Sequence, residues 1–271
     1  MIKRYHEAPL SIFEAVQAKT DGDYALVHLF EDPNIGPAYY KKFERALEDG
    51  RPVILDNSVF ELGVAFEINK FADYIRKLKP TYYVIPDALE DAEVTVARAK
   101  FFKRHHPDLP GKSIGVVQGK SLHQMAWCYE QLHDLVDMIA FSFDLSCYHQ
   151  IVPEVNNDLR DSWLSLCLGR PTMIAGLLRM NVIDTNKEHH LLGVALPQEM
   201  KAYHDVDFIT SVDTSNPVVH GIFDIPYTSL GLATKKTTKL CDLINTKVTP
   251  IQWHTIEYNI EMFRRFCNEK D

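Results

Sequence analysis

Cysteine is sparse and never paired in this chain: Cys128, Cys147, Cys167, Cys241 and Cys267 are far apart, odd in number, and form no CxxC. That excludes a disulfide framework and a cysteine zinc site. No apolar run approaches the ~18 residues that would span a membrane. The basic start, Met1-Ile2-Lys3-Arg4, is followed by no apolar signal core. A soluble cytoplasmic protein is therefore expected. No GxGxxG turn follows the first apolar β segment, which argues against a dinucleotide fold. An excess of positive charge is also missing, since 29 Lys+Arg face 37 Asp+Glu for a formal net charge of -8. Bulk electrostatic binding of nucleic acid is disfavoured, but a local basic rim around an acidic pocket is not. The candidate rim segments are Lys103-Arg104-His105-His106, Lys235-Lys236 with Lys239, and Arg264-Arg265. The adjacent pairs His105-His106 and His189-His190 suit structural or solvent-facing roles better than a metal, and no metal is expected.

What the chain does have is a repeated strand ending. Pro52-Val53-Ile54-Leu55-Asp56-Asn57-Ser58 is a buried-type apolar run that stops at an acid. The same grammar recurs at Val84-Ile85-Pro86-Asp87, Gly115-Val116-Val117-Gln118-Gly119 and Phe208-Ile209-Thr210-Ser211-Val212-Asp213. In α/β proteins, strand ends of this kind deliver polar side chains to the mouth of a site.

Seven β segments are predicted, at 24–30, 53–56, 82–85, 113–118, 138–142, 191–196 and 207–212. Helical patterns fall at 37–48, 67–78, 89–105, 122–135, 159–168 and 197–204. Strands alternating with helical crossovers imply a parallel sheet. Continuous apolar runs such as Val53-Ile54-Leu55 suit strands covered on both faces. With polar residues spread over many strand ends, a single TIM (β/α)8-type barrel over 1–271 is expected, with one weak or irregular strand. The stretch 144–157 reads as a loop at the edge of the site. The stretch around 214–245, holding Pro217, Gly221, Pro226 and Gly231, reads as a lid or partner-binding insertion. The amphipathic pattern at 251–267 reads as a closing helix.

Asp56 and Asp213, at the ends of different strands, form a candidate carboxylate pair. Such a pair divides glycosidic chemistry between attack at the anomeric carbon and handling of the proton. Either Asp alone equally suits a cap or a loop tie. Asp87 and Gln118 offer acceptors and donors for a purine edge, and Gly119 and Gly193 leave space beside them. Phe60, Phe141, Phe143, Tyr148 and Met180 are candidate stacking residues. Asp144 is a further candidate for a base or sugar contact.

In this order the segments resemble the tRNA-guanine transglycosylase superfamily, and are most similar to its short phage and bacterial members that place 7-deazaguanines in DNA. Asp56-Asn57-Ser58-Val59-Phe60-Glu61 stands where that family has Asp-Ser-Gly-Gly-Phe-Gln. Gly115 to Gly119 resembles Gly-Ile-Val-Gln-Gly, and His190-Leu191-Leu192-Gly193-Val194 resembles Tyr-Leu-Met-Gly-Val. The likeness runs from about Pro52 to Gly221. It implies an acid/base role for Asp56, an aromatic base contact at Phe60, and base recognition by Asp87 and Gln118. The nucleophile segment, Met-Phe-Asp-Cys-Val in the family, matches Thr210 without a gap. Asp213 takes that place after a three-residue shift and is preferred because the chemistry needs a carboxylate. Asp205 and Asp207 compete from the strand entrance. The family's Cys3His zinc subdomain has no counterpart in this sequence, which shifts the implied substrate from tRNA toward DNA.

The expected activity is exchange of guanine in DNA for a 7-deazaguanine such as preQ0, through a covalent glycosyl-enzyme and without a cofactor. The rivals are a nucleosidase or DNA glycosylase on the same scaffold, tRNA-directed exchange, and a non-catalytic nucleic-acid-binding protein.

Overall fold

The computed structural model describes residues 1–143, 147, 148, 151 and 163–269. Its eight strands are β1 (Lys3–Tyr5), β2 (Asp23–Leu26), β3 (Val53–Asp56), β4 (Tyr82–Val84), β5 (Lys112–Val117), β6 (Met138–Phe141), β7 (His189–Leu191) and β8 (Ile209–Asp213). All neighbouring pairs are parallel, in the order β1-β8-β7-β6-β5-β4-β3-β2. A parallel bridge from Tyr5 to Gly22, just before β2, brings the two ends of this sheet together. The result is a nearly closed TIM-type barrel, as the strand–helix alternation predicts.

The helices are α1 (Phe13–Gln17), α2 (Gly36–Glu48), α3 (Val59–Leu62), α4 (Ile68–Leu78), α5 (Ala92–His105), α6 (Leu122–His133), α7 (Trp163–Arg179), α8 (Asn216–Ile222) and α9 (Pro250–Asn268). Each long crossover helix supplies large apolar side chains to the interior. Phe43 of α2, Phe71 of α4, Phe102 of α5 and Phe263 of α9 are all fully buried. Burying a side chain of this size contributes about 1.5–3 kcal/mol. The starts are capped as their sequences suggest. Asp91 accepts from Val94 N at 3.0 Å and Ser121 from Gln124 N at 3.3 Å. Thr249 and Gln252 form a reciprocal capping box at the start of α9.

Four expectations need correction. The eighth strand, β1, escapes pattern reading because Lys3-Arg4-Tyr5 is short and polar. It is recognisable only by its pairing with β8, where Tyr5 lies opposite Asp213. The segment predicted at 24–30 is strand only to Leu26, and Val27–Glu31 coils into a 3-10 helix. β7 occupies His189–Leu191 rather than 191–196, because the chain turns at Gly193. α7 runs on through Pro171 to Arg179, well past the predicted stop at 168. The 251–267 pattern is helical as α9, and its Ile256 and Ile260 pack with Val218, Val219 and Ile222 of α8. Among the described residues, no helix is long and apolar enough to cross a membrane.

Candidate active site

β3 ends at Asp56, and the chain must then turn sharply. Asp56 Oδ2 accepts from Ser58 N at 2.7 Å, a local side-chain turn. Ser58 takes a left-handed backbone, φ 61°, a conformation that favours Gly. The turn starts α3 and sets Phe60, about half exposed, at the rim. Asn57 is fully buried, and its amide ties two strand ends together. It donates to Ile85 O at 3.0 Å and Asp87 Oδ1 at 2.8 Å, while Val59 N donates to its Oδ1 at 2.9 Å. The other oxygen of Asp87 accepts from Gln118 Nε2 at 2.7 Å, and Gln118 Oε1 accepts from Glu90 N at 3.0 Å. Three strand ends are thereby locked into one polar wall, with Asp87 at its centre.

The opposite wall is built from β7 and β8. Asp213, the last residue of β8, accepts from Gly193 N at 3.0 Å through Oδ1. His190 Nε2 lies 2.9 Å from the same oxygen, and His190 Nδ1 lies 2.8 Å from Ser211 Oγ. A proton on Nε2 satisfies both contacts, with Ser211 donating to Nδ1. Oδ2 of Asp213 has no hydrogen-bond partner among the described residues. Gly193 adopts φ 68°, which turns its N–H toward Asp213. The carbonyls around it are held by Arg170, which donates to Phe141 O, Leu192 O and Gly193 O at 3.1, 3.0 and 2.6 Å. Arg170 also makes a two-point, fully buried ion pair with Glu199.

Between these walls lies a cavity of about 160 Å³. It is lined by Glu7, Asp56, Phe60, Glu61, Asp87, Gln118, Phe143, Gly193 and Asp213, and covered by the segment 235–240. A cavity on the order of 150 Å³ holds one six-membered ring. A bicyclic base would therefore use the mouth as well.

The acids are crowded in low dielectric. Burial, followed by Glu61, Asp87 and Asp213, pushes the Asp56 carboxyl well above the usual range, against the opposing Ser58 N–H. Burial, followed by Glu61, Asp213 and Asp56, does the same to Glu7. Glu61 is raised by burial although its own backbone N–H and Lys239 oppose this, and its Oε2 is buried without a partner. Asp87 is raised by burial even though Asn57 and Gln118 stabilise its charge. Among the described residues, no group of three or more His, Cys, Asp or Glu is arranged to hold a metal ion.

No protein-family model and no curated protein matches this chain.

The geometry of the site brings seven of the acid, base-contact and stacking candidates to one cavity: Asp56, Asp213, Phe60, Asp87, Gln118, Phe143 and Gly193. Gly119 does not line it. At φ 155° it lies under α6, where a Cβ would sit 2.9 Å from Gln124 Cβ and 3.1 Å from Met125 N. Its small size serves strand–helix packing rather than a ligand. Asp144 lies outside the described residues, as does most of the 144–157 loop. Thr210 does not line the cavity, and its Oγ1 donates to His189 O at 3.3 Å. Asp205 and Asp207 are not in the lining either. Of the stacking candidates, Phe60 and Phe143 line the cavity. Phe141 is buried against His189, Tyr148 is buried and donates to Ser142 O, and Met180 is exposed near the end of α7.

Five participants were missed. Glu7 follows the unrecognised β1, and the strand-end grammar would have flagged Tyr5-His6-Glu7 had that strand been seen. Glu61 and Asn57 sit inside the quoted Asp56 to Glu61 motif but were given no role. The adjacent pair His189-His190 suits a structural or solvent-facing role in sequence, yet His190 touches Asp213. Arg170 carries no sequence signal, because its partners are backbone carbonyls distant in the chain.

Proposed function

We propose that this chain is a base-exchanging transglycosylase that replaces guanine in DNA with a 7-deazaguanine. One observation carries the reading. Asp56 and Asp213, from separate strand ends, line one cavity together with Asp87 and Gln118, side chains of the kind that hydrogen-bond a purine edge. The resemblance of these segments to the transglycosylases points the same way.

The reaction divides into two displacements. A guanosine is turned out of its stack into the cavity, at a cost of a few kcal/mol. Asp213 attacks C1′ through Oδ2 while Gly193 N–H and His190 hold Oδ1. The C1′–N9 bond breaks, and its electron pair passes to guanine. Burial raises the Asp56 carboxyl, which suits it to donate a proton to the departing base. A 7-deazaguanine then takes the vacated place. Its N9 attacks C1′, its N9 proton passes to the Asp56 carboxylate, and the Asp213 ester is released. Asp87 and Gln118 grip both bases in turn, so one recognition site serves both halves.

The test is incubation of DNA with the protein, a labelled guanine or a 7-deazaguanine, and mass spectrometry of the digested nucleosides. Incorporation into DNA that is lost in Asp213→Ala is expected. Release of free guanine without any incoming base would instead establish a hydrolase, and unmodified DNA under all conditions would overturn the proposal.

A further inference from the structure

The segment Lys235-Lys236-Thr237-Thr238-Lys239 places three cations within five residues at the mouth of an acidic cavity. Of the three basic segments singled out in the sequence, this one alone lines the cavity. It is fastened at both ends. Lys236 N donates to His220 Nε2 at 3.3 Å, while His220 Nδ1 donates to Asn216 O at 3.0 Å. That arrangement requires a neutral imidazole, and burial lowers the His220 pKa accordingly. At the other end Lys239 Nζ donates to Phe60 O at 2.9 Å and Glu61 O at 3.3 Å.

Each ammonium also lies over an aromatic face. Lys235 Nζ is 4.7 Å from the Phe143 ring centroid, Lys239 Nζ is 4.9 Å from that of Phe60, and Lys236 Nζ is 4.9 Å from that of Phe223. Phe60 and Phe223 remain partly exposed. Cations interleaved with aromatic faces are what a single nucleic-acid strand needs: charge for its phosphates and flat surfaces for its bases.

The sign of the surrounding charge makes this rim necessary for a polyanion. The chain carries a net charge of -8. A phosphodiester approaching a surface of that sign is repelled unless cations stand between. A free nucleoside, lacking phosphate, gains little from them. We infer that the 235–239 segment is a phosphodiester rim, which holds the strand on both sides of the base inserted in the cavity. The inference rests on the base-exchange reading for that placement. It adds which residues hold the phosphates of the strand.

The experiment measures binding of a labelled single-stranded oligonucleotide by fluorescence anisotropy across a salt series, in DNA and RNA versions of one sequence. The full-length protein is compared with Lys235→Gln/Lys236→Gln and Lys235→Glu/Lys236→Glu. Lys239 is left intact because it fastens the segment, and thermal melts check that each variant is folded. Each lost phosphate contact flattens the slope of log K against log salt by about 0.7. The Gln pair is therefore expected to flatten it by roughly 1.4 and to weaken low-salt binding about tenfold or more. The Glu pair should weaken it further. Asp213→Ala should bind with an unaltered slope.

Loss on either the DNA or the RNA oligomer supports the rim and identifies the strand it serves. An unaltered slope on both, or no binding by the unmodified protein, overturns it. Base exchange followed in the same samples separates the two proposals. Strand binding with the expected slope but without exchange upholds the rim and overturns the base-exchange reading. Exchange with unaltered slopes does the reverse.

Discussion

His190 Nε2 sits 2.9 Å from Asp213 Oδ1 across adjacent strands, and both side chains are buried, His190 within β7 and Asp213 at the end of β8. The pairing constrains how the carboxylate can move. With Oδ1 engaged by His190 and Gly193 N, Oδ2 is the oxygen available to attack.

Replacing His190 with Phe should therefore impair Asp213 without removing it. A displacement of about 1 Å in a reacting group can cost roughly 100-fold in rate. Single-turnover exchange should fall by about 10- to 100-fold while oligonucleotide affinity stays constant. His190→Gln, whose amide can still donate, should recover part of the rate. Equal rates in all three proteins would remove His190 from the mechanism.

Asp56 gives a pH signature in stability. Its folded-state carboxyl binds its proton more tightly than the unfolded chain does, so its contribution is fully present below the ordinary Asp pKa. That contribution is lost as pH rises toward the raised folded value, and Glu7 acts in the same direction. Asp56→Asn keeps an acceptor for Ser58 N but cannot ionise. It should melt at least about 2 °C above the unmodified protein at pH 8, with the gap closing near pH 4, while losing exchange activity. A constant gap at all pH values would contradict the raised Asp56 carboxyl.

Arg170 supports the loop beneath Asp213 from a fully buried position. Arg170→Met leaves Glu199 as an uncompensated buried charge, a loss of about 3–5 kcal/mol. For a chain of this size that lowers Tm by roughly 10 °C. Arg170→Lys should not rescue it, because an ammonium cannot make the two-point Glu199 pair and reach three carbonyls together. Adding Glu199→Gln to Arg170→Met should recover part of the stability. Calorimetry of the four proteins decides.

The two cavity-motif glycines should respond differently to alanine. At Gly193 a Cβ has room, its nearest neighbour being Phe143 Cβ at 3.7 Å, and the left-handed backbone alone costs about 1 kcal/mol. At Gly119 the Cβ collides with α6. Denaturant unfolding should therefore show a larger loss for Gly119→Ala than for Gly193→Ala. Exchange kinetics should show the greater specific effect at Gly193, whose N–H holds Asp213.

The strand ends at Asp56, Asp87 and Asp213 were readable because each is a local pattern, an apolar run closed by an acid. Gln118 was readable for the same reason. The eighth strand was not, since three polar residues carry no periodic signal and form β1 only against β8. Gly119 misled because a small residue beside a polar strand end serves a ligand and a packed helix equally well. The 235–240 segment was legible as something unusual, but its place over the cavity was not.

Residue order alone determined that strands and helices alternate and that several strands end in polar groups, because apolar periodicity acts over a few neighbouring positions. Tertiary structure alone decided which of those ends meet. Asn57 and Asp87 are 30 residues apart, and Asp87 and Gln118 are 31 apart. Glu7 joins them only because β1 closes the barrel beside β8. Such contacts follow from the register and closure of the whole sheet, which no local stretch encodes.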